Sequence, residues 1–580
     1  MENPSIHYGG IRMARKVINI IKKCLDENRN FLLEAGAGAG KTYTLMQTIE
    51  YLQEQENNEQ NILCITYTNV AKDEIEERLK VKSGITVNTM HEFIWGYINK
   101  YQLELKKEVL ILIEKDVEDL KSKIDKDKKL VEKPRKNTNI EKKKRDIEKN
   151  ERKLERYQNV ELKNISYESY KALYNGIISH DEVLMIFCKF LKNDLFAKLF
   201  INNFTHIFID EYQDTSKDIL IELLECINKY KGNQYMVIGL FGDCMQQIYS
   251  NDSLKIDYEK YKIEVIPKMD NFRTCQEIIL ANNILRMDGL KQDYKNKSIK
   301  LDKIQFIYNL NKDIYLKNYY EIDINQYKRL FLSHKEIASE LGFRNISEVF
   351  SNEFGMSAND KLLKMEDSFI KIIMEMVISI FNHFIDKNYA SIIARYNSER
   401  FTVKELDKLK NELENVIEDN GNLKKIIEEL KRLDLLNEYK INKVVKKYKD
   451  RGKIDFINKL YDIELKEYCM LYSQIYGQTK LQTLHGVKGD EFDKVIVNIR
   501  EIQQGEKSWR KYSFDKFFIN GLEDTAQSIN THRLLYVACT RAKSSLVINY
   551  MASNTEEEHI SKVFENIKKL FGDYIEIKKY

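Results

Sequence analysis

A glycine-rich octapeptide between a strand-like and a helix-like segment is the feature that most constrains the fold. It reads Ala35-Gly36-Ala37-Gly38-Ala39-Gly40-Lys41-Thr42, after an apolar run at 31–34 and before a helical pattern at 42–52. Glycines let the backbone wrap closely around a ligand, so that amide N–H groups and the helix N-terminus can hold phosphates. Lys41 would neutralise the β and γ phosphates of a nucleotide, and the Thr42 hydroxyl would hold Mg²⁺. The motif predicts an α/β core that binds a nucleoside triphosphate.

A second motif supplies the acidic groups that such a site needs. The apolar run 207–209 ends in Asp210 and Glu211. Asp210 can hold the magnesium ion, directly or through water, and Glu211 can take a proton from the attacking water. An Asp-Glu pair after a strand is common by itself, and its place downstream of a phosphate-binding loop gives it this meaning.

Length and composition exclude several other classes of protein. The chain has 580 residues, roughly four times the usual domain size of about 150, so more than one core is expected. The 94 Lys and Arg residues nearly balance the 90 Asp and Glu residues, which excludes a histone-like protein. The hydrophobic fraction of 43% excludes a wholly disordered chain. With 3 prolines and 22 glycines, long helices are expected between the strands.

Cysteine spacing and apolar segments indicate the compartment. The cysteines form no C-x-x-C pair, and no His or Cys cluster has the spacing of metal ligands. We therefore expect reduced thiols in a cytoplasmic protein. Residues 1–8 lack the apolar core of a signal peptide. The most apolar stretch, 368–386, contains Lys371, Glu375 and His383, which favours a buried bundle helix over a membrane span.

Strand-like and helical patterns divide the chain into two α/β cores, each with a helical insertion. Further strands are predicted at 62–66, 206–210, 236–242, 328–332, 494–498 and 545–550. The segment 114–156 has 17 Lys/Arg and 12 Asp/Glu. A solvated helical hairpin with i,i+4 ion pairs is one interpretation of this segment, and a DNA-contacting arm is the other. From about 343 to 475 the pattern is nearly all helical.

Six further motifs follow in order along the chain. They are Thr66-Tyr67-Thr68-Asn69, Thr89-Met90-His91-Glu92-Phe93, GDCMQQIY at 242–249, Asn271-Phe272-Arg273-Thr274, TLHGVKGDEF at 483–492 and RLLYVACTRAK at 533–543. Together with the octapeptide and the Asp-Glu pair, they resemble the ordered motifs of superfamily 1 helicases of the UvrD/Rep/RecB type. The resemblance extends from residue 35 to residue 543 and so covers nearly the whole chain.

This resemblance implies the fold and the activity. The fold class is α/β, with two RecA-like P-loop domains, each interrupted by a mostly helical insertion, and with ATP at their interface. The implied boundaries are 1–99 and 180–267 for domain 1A, 100–179 for the charged insertion 1B, 268–341 and 476–580 for domain 2A, and 342–475 for insertion 2B. The implied activity is travel in the 3′→5′ direction on single-stranded DNA or partial duplex, driven by ATP with Mg²⁺.

The resemblance also assigns roles to individual residues. Catalytic roles fall on Lys41, Asp210, Glu211, Gln246, Arg273 and Arg541. Gln246 would sense the γ-phosphate, and the two arginines would approach it from the side opposite Lys41, Thr42 and Asp210. Residues 35–42 would bind the nucleotide together with Phe272, which stacks on adenine, and Glu491, which holds the ribose. Thr42 and Asp210 would hold the metal. DNA contacts are expected from Tyr67, Thr68, Asn69, His91, Phe93, Tyr249 and His485.

Several features depart from the family pattern. The octapeptide begins with Ala35 where the strict pattern has glycine. The family carries a glutamine upstream of the loop that reads adenine, whereas no glutamine precedes Gln47 here. After Tyr249 the family has an aromatic-Arg-Gly-Ala run that stacks on DNA, and this chain has Ser-Asn-Asp-Ser at 250–253. The insertion at 343–475 lacks the family's glycine-rich landmarks.

Two functions stay open at this stage. The chain is an ATP-driven DNA translocase or helicase, or it is an ATP-gated DNA sensor that regulates a separate partner nuclease. The 37 residues after Lys543 leave no room for the nuclease domain of some relatives. A nuclease-less motor resembles the helicase component of anti-phage systems such as Gabija, which works beside a separate nuclease. Anti-phage defence and housekeeping DNA repair are the two pathways to be distinguished.

Overall fold

The chain divides into two compact units, Met1–Ser298 and Ile299–Tyr580. The computed structural model describes residues 10–55, 61–79, 84–134, 139–158, 160–230, 235–249, 256–286, 288–310, 322–394, 402–500 and 511–580. The predicted start of domain 2A at 268 differs from this division, because residues 268–298 belong to the first unit. Hydrogen bonds from this segment to the glycine-rich loop account for the difference.

The first unit is built on a six-stranded parallel sheet. Across the sheet the strands are β3 (Ile85–Thr89), β2 (Ile62–Thr66), β6 (His206–Asp210), β7 (Val237–Gly242), β1 (Asn30–Ala35) and β8 (Ile263–Lys268). On β1, Phe31 and Leu33 pack into the core on one face, whereas Leu32 packs into the core on the other. A parallel sheet that is covered on both faces needs apolar side chains on both, which explains the continuous apolar runs of its strands.

Helices and two short strand pairs complete the first unit. The helices are α1 (Gly10–Asp26), α2 (Lys41–Gln53), α3 (Asn69–Leu79), α4 (Met90–Ile98), α5 (Gln102–Glu132), α6 (Ile140–Glu155), α7 (His180–Leu191), α8 (Asp194–Asn203), α9 (Lys217–Tyr230) and α10 (Gln276–Arg286). The short pairs are β4 (Ser166–Tyr167) with β5 (Ile177–Ile178) and β9 (Asp270–Asn271) with β10 (Asp293–Tyr294). The predicted charged hairpin is confirmed as α5 and α6, which are joined by ion pairs such as Lys128–Glu151 at 2.7 Å.

The second unit contains another six-stranded parallel sheet. Across the sheet the strands are β13 (Leu481–Thr483), β12 (Lys328–Phe331), β14 (Phe492–Arg500), β15 (Ala542–Met551), β11 (Lys303–Asn309) and β16 (Glu576–Lys579). In both sheets the first strand along the chain lies between the last two. The two α/β cores and the mixed α/β class predicted from the sequence are confirmed.

A helical core occupies the middle of the second unit. The helices of this unit are α11 (His334–Leu341), α12 (Arg344–Phe354), α13 (Ala358–Leu363), α14 (Ser368–Ile373), α15 (Ser379–Ile385), α16 (Tyr389–Ile393), α17 (Val403–Asp419), α18 (Leu423–Arg432), α19 (Tyr439–Asp450), α20 (Ile454–Tyr461), α21 (Leu465–Ile475), α22 (Phe514–Asn520), α23 (Ala526–Cys539) and α24 (Glu557–Phe571). One helical span, Lys361–Ile385, is long and apolar enough to cross a membrane by length and composition. Its side chains Phe369, Ile373 and Val377 are fully buried in the helical core, as expected of a bundle helix.

Candidate nucleotide site and DNA-contacting residues

The glycine-rich loop joins the carboxyl end of β1 to the first turn of α2, as the sequence predicts. Lys41 and Thr42 are the first two residues of α2. Gly38 and Gly40 have φ angles of 74° and 76°, in the left-handed region where other residues are strained. Gly40 is the N-cap residue of α2 and has no side chain with which to cap the helix. The N–H groups of the first turn are therefore left for an anion.

Lys41 lies beside the acidic pair. The distance from Lys41 Nζ to Glu211 Oε1 is 3.4 Å. Asp210 is the last residue of β6, is 5% exposed and accepts a hydrogen bond from the Glu211 N–H at 3.0 Å. Gln213 donates its amide to the other carboxylate oxygen of Glu211. Glu211 has a φ of 49°, which is a left-handed conformation that costs a non-glycine residue roughly 1–2 kcal/mol.

Oxygen ligands that suit Mg²⁺ lie at the same end of the sheet. Asp210 offers a carboxylate at the end of β6, and Thr42 offers a hydroxyl in the first turn of α2. Carboxylate and hydroxyl oxygens are the hard ligands that this ion prefers. The residues present therefore fit the ion, and a bound Mg²⁺ would neutralise negative charge on the phosphates.

The predicted γ-phosphate sensor, Gln246, is held by a buried ionic network. Gln246 is 3% exposed and donates its amide to Asp243 Oδ2 at 2.8 Å. The guanidinium of Arg286, which is 1% exposed, lies 2.9 Å from Asp243 and 2.6 Å from Asp288. Asp243 thus contacts both Gln246 and a buried arginine.

Glu34, one residue before the glycine-rich loop, belongs to the same network. It accepts hydrogen bonds from the Cys244 N–H at 2.7 Å and from the Tyr212 hydroxyl at 2.9 Å. Burial and the neighbouring Asp243 charge raise the pKa of Glu34. Ligand atoms of Glu34, Asp243 and Cys244 lie within 4.8 Å of one another. Arg286 already supplies a positive charge at this cluster, which argues against a metal ion there.

The segment that carries Phe272 and Arg273 packs against the glycine-rich loop. Phe272 donates its N–H to Gly38 O at 3.0 Å, and its ring is 47% exposed, as a stacking residue requires. A Cβ on Gly38 would lie 2.7 Å from Arg273 Cβ. Arg273 therefore lies in the same unit as Lys41, and its approach to the γ-phosphate stays a prediction. The backbone bond between Phe272 and the loop fixes it there.

Two predicted nucleotide residues lie side by side at the amino ends of strands in the second unit. Glu491 and Arg541 immediately precede the paired strand residues Phe492 and Ala542. Glu491 is exposed and forms a 2.8 Å ion pair with Lys543. Arg541 is 1% exposed and donates to Val537 O at 2.9 Å and to Asp490 O at 3.2 Å. Their roles toward ATP stay predictions.

Two of the predicted DNA-contacting residues form an exposed aromatic pair. The rings of Tyr67 and Tyr249 are stacked, with centroids 5.5 Å apart and an interplanar angle of 20°. They are 46% and 42% exposed. Thr68 and Asn69 follow Tyr67 at the start of α3, where Thr68 Oγ1 accepts the Ala71 N–H at 3.2 Å. The altered segment 250–253 lies outside the described residues.

The remaining DNA candidates differ in accessibility. His91 is half-buried and makes an edge contact with His180 at 4.8 Å, and burial followed by the charge of His180 lowers its pKa. His485 is half-buried, contacts the Tyr512 hydroxyl at 2.7 Å, and has a pKa lowered by burial to about 4. Phe93 is 5% exposed and packs in an aromatic cluster, so the expected DNA contact of its side chain is wrong.

Sequence reasoning missed two side chains that contact the glycine-rich loop or the helix after it. Lys268, the last residue of β8, donates to Thr44 Oγ1 at 2.6 Å, and burial lowers its pKa. A lysine at the carboxyl end of an apolar strand was the available signal. Gln292 donates to Ala37 O at 3.0 Å across 255 positions of sequence, and no local pattern indicates this contact.

Several known proteins have sequences similar to that of this chain. A family model for the UvrD/REP helicase N-terminal domain matches residues 19–255. Gabija protein GajB of Bacillus cereus (strain HuB5-5) is 26% identical over 675 aligned positions, which cover 96% of this chain and 97% of that protein. DNA helicase II of Rickettsia typhi is 24% identical and covers 92% of this chain and 91% of that protein. A probable DNA helicase II homolog of Mycoplasma capricolum is also 24% identical, over 89% of this chain and 81% of that protein. Residues 19–255 thus match the UvrD/REP helicase N-terminal domain, and the relatives over nearly the full length support a UvrD-like superfamily 1 helicase.

Proposed function

We propose that the chain hydrolyses ATP with Mg²⁺ and uses the free energy to travel 3′→5′ along single-stranded DNA. The contact between Lys41 and Glu211 at 3.4 Å carries the part of this proposal that concerns ATP hydrolysis. A lysine that neutralises the γ-phosphate and a carboxylate that accepts the proton of the attacking water must act on the same phosphorus centre. Asp210 and Thr42 supply oxygen ligands for the ion at the same end of the sheet.

The Tyr67–Tyr249 pair supports contact with a single strand. Bases stack on exposed aromatic rings, and this contributes about 1–3 kcal/mol per base with little dependence on sequence. Both tyrosines follow the carboxyl ends of strands in the first sheet, the end at which Lys41 and Asp210 also lie. In this proposal Thr68, Asn69, His91 and His485 add polar contacts to the strand, and Gln246 links phosphate and DNA binding.

The nucleotide half of the proposal is tested by DNA-stimulated ATPase activity. Lys41→Ala is expected to abolish turnover and to leave the protein folded, because the lysine lies at a loop and acts through its charge. Lys23→Ala is the matched control, since Lys23 is a lysine on the exposed face of α1 with 67% of its side chain accessible. Wild-type turnover in Lys41→Ala would overturn the motor proposal.

The direction of travel is tested with streptavidin roadblocks. Single-stranded DNA carries biotin at one end, and displacement of streptavidin is measured with ATP. Travel in the 3′→5′ direction displaces streptavidin from the 5′ end and leaves it on the 3′ end. Displacement from the 3′ end alone would contradict the proposed polarity.

We assign the pathway to anti-phage defence in the cytoplasm, together with a separate nuclease. The similarity to a Gabija protein over nearly the whole length of both chains supports this assignment. Plaque counts of cells that carry the chain and its neighbouring genes test it. Protection that is lost in Lys41→Ala supports the assignment, and equal protection without the gene contradicts it. Protection that survives in Glu211→Gln would instead favour the ATP-gated sensor, because that change stops hydrolysis and keeps ATP binding.

A further inference from the structure

Two buried carboxamides hold the same carbonyl of the glycine-rich loop. Asn271 Nδ2 and Gln292 Nε2 each donate a hydrogen bond to Ala37 O at 3.0 Å. The two carboxamides also contact each other, with 3.3 Å between Asn271 Nδ2 and Gln292 Oε1. Asn271 is 4% exposed and Gln292 is 5% exposed. A buried polar group that loses its partner cannot replace it with water, so these bonds strongly favour one loop conformation.

The same carboxamides explain the small residues of the loop. A Cβ on Gly36 would lie 2.5 Å from Gln292 Cδ, and a Cβ on Gly38 would lie 2.9 Å from Asn271 Oδ1. Both distances are shorter than real Cβ contacts allow. Gly38 also has a left-handed backbone, whereas Gly36 does not. A Cβ at position 36 would therefore require the Gln292 carboxamide to move.

Gln292 is itself fixed in place. Its backbone N–H donates to Asn283 Oδ1 at 2.8 Å, and its carbonyl accepts from Asn283 Nδ2 at 2.9 Å. Its side-chain amide also donates to Asp270 O at 3.4 Å. Asn283 lies in α10, so a helix anchors the backbone of Gln292. The donor of Gln292 is thus aimed at the loop by the surrounding structure.

We propose that Gln292 is a positioning residue that sets the loop for the triphosphate before ATP arrives. A phosphate-binding loop must turn its N–H groups toward the ligand and its carbonyls away from it. Rotation of the Ala37 carbonyl toward the phosphates would break two buried hydrogen bonds. A loop that is already arranged loses less conformational freedom on binding, which raises affinity. This inference rests on the proposed binding of ATP by the loop.

A double-mutant cycle between positions 36 and 292 tests the proposal on the full chain. Binding of ATP and of adenosine is measured by titration calorimetry for each variant. Gln292→Ala is expected to weaken ATP binding about tenfold, the effect of one lost buried hydrogen bond. Adenosine binding should stay within about twofold, because adenosine has no phosphate to meet the loop. Gly36→Ala alone is expected to weaken ATP binding more than about 100-fold through its collision with Gln292.

The double variant separates the steric role of Gln292 from its hydrogen-bonding role. In the Gln292→Ala background, Gly36→Ala should weaken ATP binding less than about tenfold, because the colliding amide is gone. Gln292→Met keeps the length of the side chain without its donor. Gln292→Met should weaken ATP binding as much as Gln292→Ala does. In the Gln292→Met background, Gly36→Ala should lower ATP affinity by the same factor as it does in the wild-type protein. Thermal melting of each variant confirms that the chain is folded.

Three outcomes overturn the proposal. The first is that Gln292→Ala binds ATP with wild-type affinity. The second is that Gln292→Ala weakens the binding of ATP and of adenosine equally. The third is that Gly36→Ala lowers ATP affinity by the same factor in the wild-type and Gln292→Ala backgrounds. Lys41→Ala measured alongside separates this inference from the proposed function. If Lys41→Ala hydrolyses ATP like wild type, the proposed function fails. If Lys41→Ala loses ATP and Gln292→Ala retains it, the positioning role alone fails.

Discussion

The two parallel sheets share a strand arrangement, but their predicted ATP-contacting residues Lys41 and Asp210, and Glu491 and Arg541, lie at opposite ends of the strands. In the first unit, Lys41 and Asp210 lie at the carboxyl ends of β1 and β6. In the second unit, Glu491 and Arg541 lie at the amino ends of β14 and β15. Ligands of open α/β sheets usually bind at the carboxyl ends of the strands, so the second sheet departs from the usual pattern.

Helix polarity explains which charge each end of a sheet can hold. The first turn of α2 begins at the glycine-rich loop, and the positive end of a helix favours an anion. Helix α23 ends at Cys539, and Arg541 donates to the Val537 carbonyl in its last turn. The negative end of a helix favours a cation. The carboxyl end of the first sheet is thus suited to hold phosphate, and the amino end of the second sheet is suited to hold an arginine. The two sheets nevertheless share one strand arrangement.

The largest expected difference between the units is in catalysis. Glu211→Gln should lower kcat about 10²–10⁴-fold, because a positioned general base is lost. Glu491→Gln removes a carboxylate at the amino end of the second sheet, and it should raise KM for ATP with kcat within about tenfold of wild type. Steady-state ATPase assays on saturating single-stranded DNA decide between the two effects. Equal loss of kcat in both variants would break the comparison.

A buried arginine should matter more to the first unit than a partly exposed one does to the second. Arg286→Met leaves the buried carboxylates Asp243 and Glu34 without their cation, and it should destabilise the first unit by about 3–5 kcal/mol. Arg329→Met removes an arginine that is 16% exposed and pairs with Glu340, and it should cost about 1–3 kcal/mol. Hydrogen exchange of β1 and β14 reports the two units separately. An equal loss of hydrogen-exchange protection in β1 of Arg286→Met and in β14 of Arg329→Met would contradict the expected difference.

Acid should destabilise the first unit at a single buried histidine. His206 is fully buried, and burial lowers its pKa to about 4. The folded state disfavours the protonated ring, so the contribution of His206 to the free energy of unfolding is fully present above the unfolded pKa of about 6.5. It is lost as pH falls from about 6.5 toward about 4, by about 3 kcal/mol in full. Hydrogen exchange of the β6 amides, compared between pH 7 and pH 4.5, measures this loss of stability.

Two variants act as controls for this acid effect. His206→Phe keeps an aromatic ring that cannot be protonated and should remove most of the dependence in β6. His485 in the second unit also has a pKa lowered to about 4, but it is only half-buried, so its contribution should be smaller. An unchanged pH dependence of β6 in His206→Phe would exclude His206 as the source.

The smallest expected effect concerns the aromatic pair. Tyr67→Ala or Tyr249→Ala should weaken binding of single-stranded DNA by about 1–3 kcal/mol, which is the contribution of one stacked base. Tyr476→Ala in the second unit is the matched control, since that tyrosine is also 45% exposed. Fluorescence anisotropy with a labelled oligonucleotide measures all three. Equal weakening by Tyr476→Ala would show that the stacking surface is not confined to the first unit.

Much of the fold and the centre of the site could be predicted from local patterns. Strands β2 and β6 have the predicted bounds, because polar or turn residues end their apolar patterns sharply. The sequence predicts that Lys41 and Glu211 act on the same nucleotide, because the Asp-Glu pair lies downstream of a phosphate-binding loop. Predictions of this kind need only the neighbours of each residue in sequence.

The errors concern contacts between residues that are far apart in sequence. Phe93 follows a strand as Tyr67 does, and only its packing on Phe200 and Phe204 makes it a core residue. Gln292 reaches Ala37 across 255 positions. Arg273 lies beside the loop because of backbone bonds that no spacing rule specifies. Long-range packing decides these positions, and a single sequence does not encode it in any local pattern.

The left-handed backbone of Glu211 has a consequence for how this chain can change over evolutionary time. Glycine, and to a lesser degree asparagine, adopts a φ of 49° with less strain than glutamate. Folding alone would therefore favour replacement of Glu211, whereas the proposed mechanism of hydrolysis requires its carboxylate. A copy of this gene released from selection for ATP turnover would gain stability by losing this glutamate. Position 211 is thus where the sequences of active motors and of inactive, ATP-retaining descendants should first diverge.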